Sequence, residues 1–188
     1  RINPNERTHI QYNTEEMKLE LDRLVASEDR ILPFLHTMAG APILDGQSLH
    51  ALAVENKSGR SAIRARFFVD ASGDGDLAVR SGASFRQNER LMPGTTCAKI
   101  DGMPPKVEFN LTQAIRDHRA EFGIQEDYGW YGPIPGADHT TLHFDLHVFG
   151  FDPTDAFSLT AAEMRGRDQV ARVMQLAREY LPDDRQIA

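Results

Sequence analysis

Glycine and aspartate residues alternate in one short run of the chain, FFVDASGDGDLA at residues 67–78. Its second half, GDGDLA, fits the pattern G-x-G-x-x-A, in which glycines let the backbone approach the pyrophosphate of a dinucleotide. Two carboxylates, Asp74 and Asp76, lie inside the same turn, and negative charges close to a phosphate oppose its binding. The run therefore indicates contact with a nucleotide cofactor at some part other than its phosphates.

Carboxylates accept hydrogen bonds from hydroxyl groups, which suits the ribose or ribityl part of a cofactor. We favour this role for the two aspartates, with the glycines allowing close backbone approach. A purely structural connection between a strand and a helix is one alternative. A calcium loop is another, although its twelfth position would be Ser81 rather than glutamate. The residues that imitate the first half of such a loop are Asp70, Ser72, Asp74, Gly75 and Asp76.

The longer run GRSAIRARFFVDASGDGDLAVRSGA, at residues 59–83, resembles the second flavin-contact region of FAD-dependent oxidoreductases of the glutathione-reductase-like superfamily. It is most similar to the group whose strand ends in an A-T-G-D-G-D run, and Ser72 keeps the hydroxyl of that threonine. The resemblance implies FAD as cofactor. The implied cofactor-binding residues are Ala71, Ser72, Gly73, Asp74, Gly75 and Asp76. The first three would approach FAD through the backbone, and one aspartate would accept a ribose or ribityl hydroxyl.

The resemblance is close at 60–83 and 150–182 and looser elsewhere. It implies that residues 1–83 are the remainder of an FAD-binding domain and that 84–188 are part of a mixed-sheet substrate domain with a C-terminal helix. The family's N-terminal glycine-rich loop, which holds the FAD pyrophosphate, is missing from the sequence. We therefore expect an internal portion of an oxidoreductase that acts on a small organic substrate and binds FAD weakly or not at all in isolation. The alternative is a non-catalytic interaction or structural module derived from a flavoprotein.

A second group of candidate residues alternates along TTLHFDLHVFG, at residues 140–150. In a strand, His143, Asp145 and His147 would share one face. That face could bind a metal ion, line a substrate pocket or contact solvent, and a solvated face is the favoured interpretation. If the face lines a pocket, His143 and His147 are its substrate-contacting residues. No metal ligand and no catalytic residue is assigned.

Two further features each have a structural and a functional interpretation. Cys97, the single cysteine of the chain, is interpreted as a small core residue because it has no C-x-x-C partner. A Gly/Pro-rich loop is predicted at 128–138, and its aromatic residues could form a lid over a ligand or a plug on the sheet. These aromatic residues are Tyr128, Trp130 and Tyr131.

The elements that position these residues follow from hydrophobic periodicity and turn signals. They predict an α+β fold, with a partial α/β FAD-binding domain, a β-meander and a mixed sheet with flanking helices. The predicted strands are 31–38, a meander over 42–71 whose segment 67–69 is buried on both faces, 95–100 and 140–150. The predicted helices are 13–29, 76–83, 111–121 and a last one capped by Thr160 that runs to about Tyr180.

Composition excludes several classes of function. The 188 residues carry a formal net charge of −7, which disfavours binding to nucleic acid. No apolar run is long enough to span a bilayer, so no membrane association is expected. A single cysteine fits a reducing compartment. We expect a cytoplasmic protein that binds a small-molecule substrate and that can form a homo-oligomer.

Overall fold

The computed structural model describes residues 12–89, 91–104, 106, 108–125, 130–182 and 186–188. The chain divides into two compact units. Unit 1 comprises residues 1–21 and 91–188, and unit 2 comprises residues 22–90. Each unit contains helix and an antiparallel sheet, so the predicted α+β class is confirmed. No helix of the described ranges is long and apolar enough to cross a membrane.

Unit 2 is built on a three-stranded meander. Its strands β1 (Met38–Asp45), β2 (Ser48–Asn56) and β3 (Gly59–Arg64) pair antiparallel in the order β1-β2-β3. The turn after Asp45 and the turn at 57–58 join the strands, as the Asp-Gly and Ser-Gly signals predict. The helix α2 (Asp76–Arg80) follows the glycine turn. The helix α1 (Thr14–Ala26) precedes the meander in the chain, with residues 14–21 in unit 1 and 22–26 in unit 2, and the Asn13 side chain accepts a hydrogen bond from the Glu15 amide at 3.0 Å.

Two predictions for unit 2 are wrong. The strand expected at 31–38 does not form, because residues 31–37 are turn and irregular chain and β1 begins only at Met38. The segment 67–69 is not a buried strand either, since the side chains of Phe67 and Val69 are 85% and 88% exposed. An apolar run becomes a buried strand only where neighbouring elements cover it, and none of the described strands pairs with either segment.

Unit 1 combines an antiparallel sheet with two complete helices and the first part of α1. The strands are β4 (Gly94–Asp101), β5 (Trp130–Ile134) and β6 (Ala137–Val148), in the order β4-β6-β5, and the helices are α3 (Leu111–His118) and α4 (Ala156–Tyr180). The prediction of a mixed sheet is wrong for this unit, because β6 pairs antiparallel with both of its neighbours. A two-residue connection joins β5 to β6, and such a hairpin permits only antiparallel pairing.

Two boundaries in unit 1 also differ from prediction. Part of the loop expected at 128–138 is strand β5, because its backbone groups pair with β6 despite Gly132 and Pro133. Tyr128 lies outside the described residues, as does the side chain of Trp130. Helix α4 begins before Thr160, since the side chain of Asp155 accepts from the Ser158 amide at 2.7 Å and caps the helix there.

Helix α4 packs closely on the sheet of unit 1. Its buried side chains Val173 and Leu176 join Ile100 and Leu146 of the sheet in one apolar core, together with Leu111 and Ile115 of α3. The closest approach is at Gly166. A Cβ atom there would lie 1.9 Å from the Thr96 hydroxyl oxygen and 3.4 Å from a methyl of Val148. The glycine therefore lets the helix backbone lie directly on β4.

A polar contact joins the end of α3 to the end of α4. The Glu121 carboxylate interacts with His118 Nδ1 at 3.0 Å and accepts from the Tyr180 hydroxyl at 3.1 Å. The rings of His118 and Tyr180 stack with centroids 3.9 Å apart. The hydrogen bond with His118, followed by that from Tyr180, lowers the pKa of Glu121 from its ordinary 4.5.

A pH dependence follows from this contact. Because the pKa of Glu121 is lowered by folding, its contribution to stability is present above 4.5 and is lost as the pH falls through the folded-state value. We expect Glu121→Gln to lower the free energy of unfolding at neutral pH and to leave it nearly unchanged below the folded-state pKa. Urea unfolding of both proteins across this range measures the difference. A difference that is constant with pH would contradict the assignment. Tyr180→Phe is the control, because it removes the hydrogen bond of the hydroxyl and keeps the ring that stacks on His118.

Candidate functional site

The glycine turn of unit 2 is organised by one carboxylate, that of Asp70. Its Oδ1 atom accepts from the Ser72 hydroxyl at 2.7 Å and from the Ser72 amide at 3.1 Å. Its Oδ2 atom accepts from the Ala78 amide, in the first turn of α2, at 2.9 Å. The Ser72 hydroxyl oxygen in turn accepts from the Asp76 amide at 3.1 Å. One side chain thus connects the residues before, within and after the turn.

These bonds favour the ionised form of Asp70. The hydrogen bond from the Ser72 hydroxyl, and then those from the Ala78 and Ser72 amides, lower the pKa of Asp70 from its ordinary 3.8. The sequence-based site did not include this residue among the cofactor contacts. The spacing of Asp70 and Ser72 in the sequence could have indicated its role, because an aspartate two residues before a serine commonly accepts from that serine's amide and hydroxyl.

Both glycines of the turn adopt backbone angles that a side chain would strain. Gly73 has φ 97° and Gly75 has φ 75°, the left-handed region in which a Cβ atom is disfavoured. Neither position has an atom within 4 Å of where a Cβ would lie. The backbone of the turn is therefore open to an approaching molecule.

A cavity of about 390 Å³ lies beside the turn, between the start of α2 and the meander of unit 2. Of the six predicted cofactor-binding residues, Ala71, Ser72 and Asp76 line it, while the other three, which lie between Ser72 and Asp76, do not. Its remaining wall is mostly apolar. The other lining residues are Met38, Ala39, Gly40, Leu52, Val69, Asp70, Leu77 and Arg80.

The polar wall of this cavity carries both signs of charge. The Arg80 guanidinium lies 3.5 Å from the Asp76 carboxylate, one turn along α2, and donates to the Ala39 carbonyl at 3.5 Å. Asp76 is exposed, so its free carboxylate oxygen is accessible as an acceptor. The cavity therefore offers acceptor oxygens and one cation beside apolar side chains, a combination suited to a polyhydroxyl chain attached to a flat ring.

The calcium-loop alternative finds no support in the geometry. Both oxygens of Asp70 are occupied by protein donors. Across the described ranges, no group of three or more histidine, cysteine, aspartate or glutamate side chains is placed to hold a metal ion.

The histidines of β6 do not share a face as predicted. His143 lies opposite Ala98, whereas Leu146 lies opposite Thr96, so two residues of β6, at 144–145, lie opposite one residue of β4. This β-bulge reverses the alternation. His143 therefore points into the core, where it is 2% exposed, with Leu146 and Val148. His147 lies opposite Thr95 on the other face, and its ring contacts Phe149 edge to face. The side chain of Asp145 is outside the described residues.

Cys97 is exposed rather than a core residue. The alternation of β4 explains this, since Thr96 and Ala98 turn towards the covered face and Cys97, between them, turns away. A lone cysteine in the sequence gives no indication of which face it occupies.

Comparison with known proteins adds one match. The family model described as FAD dependent oxidoreductase matches residues 2–187 of the chain. No match was found among curated proteins or among solved structures.

Proposed function

The chain belongs to the FAD-dependent oxidoreductase family, and from this premise we propose that it forms part of an enzyme that oxidises a small organic substrate with FAD. Unit 2 supplies contacts to the cofactor and unit 1 contributes to substrate binding. A bound flavin supplies the acceptor for a hydride or electrons, and the protein supplies binding and orientation. A single cysteine suits action in a reducing compartment such as the cytoplasm.

The observation that carries the proposal is the cavity at the glycine turn. It gathers Ala71, Ser72 and Asp76, three residues that the resemblance assigns to FAD contact, in one wall. Their arrangement fits the hydroxyl-bearing part of the cofactor. Backbone groups of an open turn can approach an extended chain closely, and the accessible oxygen of Asp76 can accept from a hydroxyl.

The two aspartates of the turn then have different roles. Asp76 lines the cavity and Asp74 does not, so we assign the ribityl or ribose hydroxyl to Asp76. Asp70 also lines the cavity, but both of its oxygens already accept from Ser72 and Ala78, so we assign it to positioning the turn rather than to a cofactor hydroxyl. Arg80 limits the local negative charge at 3.5 Å from Asp76, which reduces the repulsion of a cofactor that carries phosphates elsewhere.

The proposal is tested by titrating the chain with riboflavin and with lumichrome, a flavin-type ring that lacks the ribityl chain, while amide signals are followed by NMR. We expect weak binding of riboflavin with shifts confined to 71–76, and no comparable shifts with lumichrome. Asp76→Asn should weaken riboflavin binding by about tenfold, the effect of losing one charged acceptor. Asp74→Asn is the matched control and should bind like the original chain.

Equal shifts with lumichrome would contradict the assignment of Asp76 to a hydroxyl. Absence of binding to riboflavin and to FAD, both by this chain and by a longer protein that contains it, would contradict the enzyme and favour the interaction-module alternative.

A further inference from the structure

Unit 1 contains a second cavity, of about 720 Å³, that the cofactor proposal does not use. It lies where β5 and the start of β6 face the segment that follows β4, and we call it the unit 1 recess. Its volume is in the range of small-molecule sites. The lining residues are Gly102, Met103, Pro104, Lys106, Tyr131, Gly132, Pro133, His139, Thr140 and Thr141.

The apolar part of the recess is held in place by the fold. The Tyr131 hydroxyl donates to the Phe109 carbonyl at 3.1 Å and accepts from the Leu111 amide at 3.2 Å. Both bonds fix the position of the hydroxyl end of the side chain, so the ring forms a defined wall of the recess. Met103 is buried beside it. A wall of this kind favours a flat or compact apolar group, because its shape exists before the ligand binds.

The two segments that face each other across the recess are tied together. The Gly102 amide donates to the His139 carbonyl at 2.9 Å, and the Thr140 hydroxyl donates to Asp101 Oδ1 at 3.1 Å. The proton of Thr140 is therefore engaged, and its oxygen remains able to accept. The mouth of the recess is fixed by these bonds on one side.

The polar chemistry of the recess favours an anion. Lys106 brings a full positive charge to it, and His139 brings a ring nitrogen that can donate. Both residues are exposed, so they stand at the opening while the apolar side chains form the interior. The carboxylate of Asp101, beside the recess, is already an acceptor for Thr140. A cationic ligand would meet the charge of Lys106 and is disfavoured.

We propose that the unit 1 recess binds a small organic acid, with its carboxylate at Lys106 and His139 and its apolar body against Tyr131 and Met103. Ammonium and imidazole donors bind a carboxylate by charge-assisted hydrogen bonds. The identification of this acid as the substrate rests on the proposed function, whereas its binding to the recess does not.

The test uses benzoate as the probe and benzamide as its uncharged counterpart, titrated into the full chain without flavin. We expect benzoate to shift the amide signals of Gly102, Gly132 and Thr140, and benzamide to bind at least about tenfold more weakly. Lys106→Gln should weaken benzoate binding by about tenfold, while Lys106→Arg should retain most of it. Lys57→Gln, at an exposed turn of unit 2, is the matched control.

The inference is overturned if benzoate leaves these signals unchanged, if benzamide binds equally well, or if Lys106→Gln binds benzoate like the original chain. An otherwise unchanged NMR spectrum shows that each variant is folded. Failure of the cofactor proposal would appear separately, as absence of riboflavin shifts at 71–76 with benzoate binding intact.

Discussion

Replacing Gly166 with alanine is expected to destabilise unit 1 by about 2 kcal/mol, because the added methyl group has no space. It would lie 1.9 Å from the Thr96 hydroxyl oxygen and 3.0 Å from the Thr96 Cβ atom. Helix α4 would have to move away from β4, and the contacts of Val173 and Leu176 with the sheet would loosen. Urea unfolding followed by circular dichroism measures the change.

The sign of this effect distinguishes packing from helix propensity. In an unpacked helix the same substitution would stabilise by about 1 kcal/mol, since alanine is the better helix former. A gain of that size would therefore show that α4 does not lie on β4 as described. A double-mutant cycle with Thr96→Ala is the control. It removes the nearest obstructing atom, so the cost of alanine at position 166 should fall in that background.

Replacing Asp70 with alanine is expected to remove the order of the glycine turn and to weaken riboflavin binding by roughly tenfold or more. The substitution removes the acceptor of three hydrogen bonds, two from Ser72 and one from Ala78. Asp70→Asn keeps one oxygen acceptor, so its riboflavin affinity should lie between that of the original chain and that of Asp70→Ala. The riboflavin titration measures affinity, and the amide signals of Ser72 and Ala78 report the order of the turn.

The hydrogen bonds that Asp70 accepts in the same turn should be lost on acidification. The bond from the Ser72 hydroxyl, with those from the amides, lowers the pKa of Asp70 below 3.8. Its contribution is therefore complete above 3.8 and is lost as the pH falls through the lower folded-state value. The amide signals of Ser72 and Ala78 should move together over that range. If they move independently, or not at all in the original chain, Asp70 does not organise the turn.

Local signals in the sequence were sufficient for much of unit 2. The alternation of residues 48–64 and the Asp45-Gly46 turn predicted the hairpins that form β1 to β3. The glycines and aspartates of 73–76 predicted a turn followed by a short helix, which is α2. These features depend on residues close together in the chain, where backbone preference and turn chemistry decide the structure.

The failed predictions depended on which elements cover or pair with a segment, which its own residues do not determine. Apolar composition marks 67–69 as a candidate for burial, yet only a covering element determines whether it is buried. Strand β5 forms because β6 offers it a hydrogen-bonding edge, against the preference of its glycine and proline. The spacing of Asp70 and Ser72 indicates the bonds between them, whereas the bond from the Ala78 amide to Asp70 depends on how the turn places α2.

The bulge in β6 makes one stretch of the strand unusually tolerant of a change in length. Removing one residue from a regular strand reverses the face of every residue that follows. At 144–145, where two residues of β6 lie opposite one of β4, a one-residue deletion would instead restore regular pairing and leave Leu146 and Val148 facing the core. Variants that are one residue shorter should therefore survive selection for folding here, while the same deletion elsewhere in β6 should be eliminated.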